Sequence, residues 1–378
     1  MTKNSPRSYI GLSKKNLVSN LLALKSVAKK GTTISIAIKG NAYGHGQNKI
    51  SKILEPFVGY FQVDSVSELE LLRSSSKKKA FLFGYVQKSD LQKAIRLGCI
   101  LSVFSLEELR AIEQIARKFK TIQEVHVPVD AYLGREGFLP SKLSDFFKAL
   151  KMCKNVKLTG IYAHFANIED TNNFTHAKRQ IDEYTRAIQI AEGFGFKNLQ
   201  THISATSGLL VYEKGSGINP IVRLGVGVYG LWPSQHIEFQ YKNKLKLSPV
   251  LSWKTKIAQV KTLPAGHTVG YGLAHRVFKS TKIAVVPIGY ADGYDRGLSN
   301  KGEVLIGGKK CKILGRVAMN MFVVDVNKVK GVKTEDEVVL IGRQGKQEIT
   351  AEEMAEKIET INYEVVTRIS ALTPRLII

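Results

Sequence analysis

The sequence predicts an α/β protein: an N-terminal (β/α)8 TIM-type barrel over residues 1–244, followed by a mainly antiparallel β domain over residues 245–378. Eight short β-branched runs alternate with amphipathic segments across roughly the first 230 residues, the pattern of a closed parallel barrel rather than an open doubly wound sheet. From about Leu247 this alternation gives way to consecutive strand-like runs with Gly-rich turns. A length of 378 residues accommodates a barrel-sized domain with an appendage.

The eight runs are ISIAI from Ile34, YFQV from Tyr60, AFLFGYV from Ala80, CILSVF from Cys99, EVHVPV from Glu124, LTGIYAHF from Leu158, QTHIS from Gln200 and IVRLGVGVYG from Ile221. Between them, Ser105-Leu-Glu-Glu108 has the form of a capping box. Thr175 to Glu192 places apolar residues at three- and four-residue steps, as one face of a helix requires. Beyond Leu247 the runs VLSWKTKIAQVKTL, KIAVVPIGY, EVLIG, CKILGRVAM, MFVVDV and EVVLIG leave one clear helix, Ala351 to Ile358. The polar, lysine-rich stretch from Gln235 to Lys246 separates the two patterns.

Composition excludes several classes. A hydrophobic fraction of 44%, 32 Gly and 10 Pro fit a globular chain and argue against disorder, a collagen-like repeat or a coiled-coil rod. The start MTKNSPRSYIGL has no apolar h-region, and no apolar run approaches the ~20 residues of a membrane span, so a cytoplasmic protein without membrane contact is expected. Cys99, Cys153 and Cys311 lack metal-ligand spacing, which argues against a zinc site and a disulfide framework. The net charge of +24 is spread along the chain, and Lys77-Lys78-Lys79 after three serines reads as a solvated turn; no nucleic-acid partner is expected.

Polar residues that are costly inside strands gather at the C-terminal ends of the predicted barrel strands, the face where barrel enzymes do chemistry. They are Lys39 after the first, Arg135 just past the fifth, His164 ending the sixth, Thr206 and Ser207 past the seventh, and Arg223 within the eighth. Lys39 follows the apolar run Ile34 to Ile38 directly, and desolvation there would favour the neutral amine that forms Schiff bases. A strand-end lysine snorkelling to water is the alternative. The turn Gly40-Asn-Ala-Tyr-Gly-His-Gly46 offers backbone N–H groups and Tyr43 to a group such as phosphate.

The segment AIKGNAYGHG, Ala37 to Gly46, resembles the pyridoxal-phosphate lysine motif of alanine racemases. The resemblance continues in order through LGREGF at Leu133, YAHFA at Tyr162, RLGVGVYGLWPS at Arg223, VGYG at Val269, GYADGY at Gly289, GRVAMN at Gly315 and INYE at Ile361. It implies a homodimeric isomerase with composite sites that interconverts L- and D-alanine with pyridoxal 5'-phosphate, supplying D-alanine for peptidoglycan. Lys39 would carry the cofactor and act as one base, and Tyr271 would be the opposite base, reaching in from the partner subunit. Arg223 would face the pyridine nitrogen, with His164 linking it towards the tyrosine. Tyr43, Thr206, the backbone at Gly225 and Val226, and Tyr363 would hold the phosphate. Ser207 is an alternative to Thr206, because HISATSG follows the family pattern loosely. Arg135 would contact the substrate carboxylate, and Met319 and Tyr290 would line the substrate side; Arg296 and Arg316 resemble entrance residues more weakly.

Three positions depart from the family. Pro128 stands where many members carry a carbamylated lysine that orients the equivalent of Arg135, Asn320 replaces an aspartate, and Ala318 replaces a cysteine. Two anions are thus missing around an expected buried cation, leaving Glu136, an anion such as chloride, or the substrate carboxylate as its partner. These changes keep a broader racemase of serine or basic amino acids open. A decarboxylase of the same barrel family fits Tyr271, Arg223 and INYE less well. A non-catalytic pyridoxal-phosphate carrier would lack the second domain.

Overall fold

The computed structural model describes residues 6–212 and 220–378. Among these residues, contacts divide the chain into two units: residues 18–39 with 47–212 and 220–248, and residues 6–17 with 40–46 and 249–378.

The first unit is an eight-stranded parallel barrel. Counting Ser8–Leu12 as β1, its strands are β2 (Thr33–Ala37), β3 (Tyr60–Val63), β4 (Ala80–Leu82), β5 (Ile100–Ser102), β6 (Gln123–Pro128), β7 (Val156–Tyr162), β8 (Gln200–His202) and β9 (Ile221–Leu224). They pair in the order β8-β7-β6-β5-β4-β3-β2-β9. The bridge between Thr201 and Pro220 and the bond from Arg223 N–H to the Ser204 carbonyl close β8 onto β9. All eight expected runs are strands. Parallel strands are covered on both faces, so β3, β4, β5 and β9 are buried along their whole length and lack alternation. Tyr60, Phe81, Ile100 and Ile221 form one interior layer, with Tyr60 and Phe81 stacked at 4.6 Å.

Of the surrounding helices, Leu106–Lys118 shows how sequence sets the boundary. Ser105 Oγ accepts from Glu108 N–H, while the Glu108 carboxylate reaches back to Phe104 N–H, one residue beyond the position a capping box uses. The stretch read as a separator folds in part into the helix Gln235–Tyr241, capped by Ser234, and the units part at Ser248 and Pro249.

The second unit is mainly antiparallel. Its largest sheet carries Gln259–Leu263, Thr281–Val286, Phe322–Asp325, Lys309–Leu314, Glu303–Ile306, Glu337–Gln344 and Leu251–Lys256 in that order, and continues into β1 and Arg375–Ile377. β1 was grouped with the barrel by the 1–244 boundary. In the structure it pairs antiparallel with Leu251–Lys256 and parallel with Arg375–Ile377. Both partners are distant in sequence, so no local pattern announces the pairing. A second helix, Asn362–Thr367, joins the expected one at Ala351–Lys357; the Asn362 amide donates to Glu352 at 2.8 Å.

Gly40–Gly46 belongs to this unit. Gly44 has φ +78°, its carbonyl accepts from both Nε and Nη2 of Arg375, and a Cβ on it would lie 1.9 Å from the Val366 carbonyl oxygen. Because both the left-handed backbone and the close approach demand glycine, Gly44→Ala should lower stability by about 3 kcal/mol. A fall in urea midpoint of that size, with Gly31→Ala as the uncrowded positive-φ control, checks it.

Candidate active site

Lys39 leaves the end of β2, where Ile38 is fully buried, and its own side chain is 50% exposed. The desolvated lysine expected from the apolar run is not found: the strand ends at Ala37, and the amine projects to solvent, 3.3 Å from the Asp64 carboxylate just past β3. An exposed pair of this kind is worth at most about 1 kcal/mol, so the amine is readily released.

Arg223 lies on β9 with its guanidinium buried. Nη1 donates to His202 Nδ1 at 2.6 Å and to the His202 carbonyl at 2.9 Å; Nη2 donates to the Ala163 carbonyl at 2.7 Å and to His164 Nδ1 at 3.1 Å. A guanidinium has five N–H donors and no acceptor. The fifth, Nε–H, has no protein partner among the described residues. Burial pulls the arginine down to about 10, still above neutral pH, so it stays charged. The rings of Tyr162 and Phe83 lie 5.4 and 5.7 Å from its centre.

The same burial keeps the nearby histidines neutral. His164 falls to about 3, first through desolvation and then through the positive charges of Arg223, Arg135 and Lys39, with Glu136 opposing. Desolvation also lowers His126 to about 3 and His202 well below the ordinary histidine value.

Arg135 sits on the loop after β6. Asp130 Oδ1 accepts from Leu133 and Gly134 N–H, and Phe138 N–H donates to the Pro128 carbonyl. The arginine is not the buried cation expected from sequence: its side chain, on a loop that turns at Gly134 and Gly137 with positive φ, is 61% exposed. Its Nε and Nη2 form a fork with the Glu136 carboxylate, which raises the arginine and lowers the glutamate from their usual ranges. Glu136 is therefore the anion against Arg135 in this structure.

Thr206 opens the helix Thr206–Val211, and its Oγ1 accepts from Gly225 N–H at 3.3 Å, next to the 3-10 segment Val226–Tyr229. Gly227 packs so closely that a Cβ there would lie 2.6 Å from the Thr206 methyl. Ser207 instead donates to the Glu169 carboxylate at 2.7 Å, so its hydroxyl proton is engaged. The threonine is the better placed of the two to offer its proton to a ligand beside Gly225 and Val226.

In the second unit, the Tyr43 and Tyr363 rings meet edge-on with centroids 6.0 Å apart. Tyr271 lies in a 3-10 turn between Gly270 and Gly272, both at positive φ, with the Arg316 guanidinium beside Gly272. It is 74% exposed. Tyr290 N–H and Ala291 N–H donate to the Ala318 and Met319 carbonyls, which ties the Tyr290–Asp292 turn to the Met319 backbone. Tyr290, Gly293, Asp295, Arg296 and Arg368 line an open cleft of about 420 Å³.

Known proteins give this geometry a family. Residues 12–233 match the profile of the alanine racemase N-terminal domain, and residues 250–377 that of the C-terminal domain. The chain belongs to the alanine racemase family. It is 34% identical to the alanine racemase of Leptospira interrogans, covering 100% of this chain and 97% of that one, and 33% identical to that of Methanococcus maripaludis, covering 95% of each. Among solved structures, it resembles the alanine racemase of Clostridium difficile 630 with a TM-score of 0.92 at 30% identity, covering 100% of this chain and 97% of that one. The alanine racemase of Bacillus anthracis with bound L-Ala-P gives a TM-score of 0.92 at 30% identity, covering 100% and 96%.

Within this alanine racemase fold, sequence reasoning missed Asp64, His126, Glu169 and His202. His202 carried the same signal as His164, a polar residue ending a barrel strand, and His126 interrupts the apolar run EVHVPV. Nothing local marks the two carboxylates.

A pH dependence follows from the neutral histidines. Below about pH 6.5 the unfolded chain takes up protons that the folded chain refuses until about pH 3 at His126 and His164, with His202 also held well below its ordinary value, so stability is fully present above that window and is lost on acidification. The expected loss is roughly 1 kcal/mol per histidine for each pH unit below 6.5. Urea midpoints at about pH 7.5 and about pH 5.5 measure it, and His164→Asn should shrink the difference.

Proposed function

We propose that this alanine racemase-family isomerase interconverts L-alanine and D-alanine with pyridoxal 5'-phosphate on Lys39, as a cytoplasmic homodimer that supplies D-alanine for peptidoglycan. The observation that carries the cofactor assignment is Arg223: four N–H groups are engaged by protein acceptors, and Nε–H remains for a ligand acceptor. The other donors suit the same group. Lys39 has an accessible amine; Thr206, with the Gly225 and Val226 backbone, offers a hydroxyl and amides to a phosphate, and Tyr43 and Tyr363 offer phenols.

When bound to an amino acid, the cofactor withdraws electrons from Cα and so acidifies its proton. The chain's residues do the rest. The Lys39 amine takes or returns that proton on one side of Cα, and the Tyr271 hydroxyl of the partner subunit serves the opposite side, as inversion requires. Arg223 would offer a hydrogen to the ring nitrogen without passing on its proton, because it remains protonated at neutral pH. Neutral His164 accepts Arg223 Nη2–H at Nδ1 and keeps its own proton on Nε2. Arg135 receives the substrate carboxylate, Glu136 yielding part of its fork, while Met319 and Tyr290 line the substrate side. Exposed Tyr271, Leu273, Phe278, Met319 and Met321 in one unit support burial against a second copy.

The decisive assay is D-alanine formation from L-alanine by the cofactor-saturated protein. Lys39→Ala should abolish both turnover and the visible band of the lysine-bound cofactor. Tyr271→Phe should retain the band but lose at least about 100-fold in kcat. Arg135→Ala should chiefly raise KM, and a loss confined to kcat would count against its carboxylate role. If an intact band comes with no alanine turnover, serine and basic amino acids become the substrates to test.

A further inference from the structure

Behind Arg223 a line of buried polar groups runs across the barrel interior. Arg223 Nη1–H can only donate, so His202 Nδ1 is the acceptor and the His202 proton sits on Nε2. His202 Nε2 lies 2.8 Å from His126 Nδ1, which must accept in turn and leaves the His126 proton on its Nε2. His126 Nε2 and the neighbouring Gln200 Oε1 are both buried without a partner among the described residues, and they are complementary, one a donor and one an acceptor. The Gln200 amide then donates from Nε2 to the Tyr60 hydroxyl at 2.6 Å. Every bond points the same way, away from the arginine.

The barrel wall makes room for this line. The register between β6 and β7 shifts at Val125/His126, and His126 then pairs with Gly160. A Cβ on Gly160 would lie 2.4 Å from the His126 ring, so no other residue fits there without displacing it. Tyr162 stacks on His202 at 5.0 Å and 8°, and Phe81 packs against both imidazoles, so neither ring can turn freely.

We propose that His126 is a positioning residue for Arg223, locking His202 into the tautomer that accepts from the guanidinium and so leaving Nε–H as its outward donor. The consequence for catalysis rests on the cofactor reading above; the tautomer lock does not. His126→Phe keeps an aromatic ring but removes the acceptor for His202 Nε2–H. His126→Asn restores an acceptor near the Nδ1 position.

The test is imidazole 15N NMR on the labelled protein without cofactor, at neutral pH, with signals assigned through the His126 and His202 variants. The wild type should show His202 and His126 each as the neutral Nε2–H form. In His126→Phe the His202 signals should shift towards tautomer exchange, and His126→Asn should restore them. In the cofactor-loaded protein, His126→Phe should lower kcat about tenfold with KM for alanine nearly unchanged, and His126→Asn should recover most of it. A wild-type His202 that is charged or protonated on Nδ1 overturns the proposal, as does a His126→Phe protein with unaltered His202 signals. Equal kcat losses in Phe and Asn variants would mark a packing role and also count against it. Absence of alanine turnover with the expected tautomers would instead remove the racemase reading and leave the lock standing.

Discussion

A guanidinium offers five N–H donors and accepts nothing, and burying it obliges the surroundings to become acceptors. Arg223 imposes that condition on the middle of the barrel. The carbonyls of Ala163 and His202 and the Nδ1 atoms of His164 and His202 answer it, all from the ends of β7 and β8. Because a charged histidine could not answer, the arginine and its desolvated site together hold these rings neutral. Burial and one charge together therefore set the protonation state of the neighbouring histidines, and their acceptors select which of the arginine's own hydrogens remains free.

The two cations nearer solvent follow different rules. Lys39 and Arg135 each pair with a carboxylate, Asp64 and Glu136, while keeping half or more of their side chains exposed. Solvent screening makes such pairs cheap to break. Lys39 and Arg135 can thus leave their resting partners, whereas Arg223 is held deep in the wall. With Pro128 on the preceding strand, the anion beside Arg135 comes from the next residue in the chain.

Much of this was legible in the sequence, for identifiable reasons. The eight barrel strands were readable because parallel strands covered on both faces must be apolar throughout, and punctuation by amphipathic helices marks each one. Lys39, Arg135, His164, Thr206 and Arg223 stood out because polar residues at such strand ends are costly unless used. The ordered motifs gave them expected roles. β1 was not legible, since SYIGL has no partner nearby and its pairing with Leu251–Lys256 and Arg375–Ile377 closes very long loops. The helix at Asn362 was too short to show periodicity.

By itself the sequence determined the succession of elements, the side chains present at each strand end, and membership of a family, because these depend on local pattern and order. Only the tertiary structure decided which donors meet which acceptors. Whether Lys39 is desolvated depends on how the chain leaves β2; whether Ser207 or Thr206 is free to donate depends on where the Glu169 carboxylate falls. The line from Arg223 through His202 to His126 joins β9, β8 and β6, and its direction follows from one end that has no lone pair to offer. Such chains are set by angles and distances of a few tenths of an ångström between distant segments, which linear pattern does not encode.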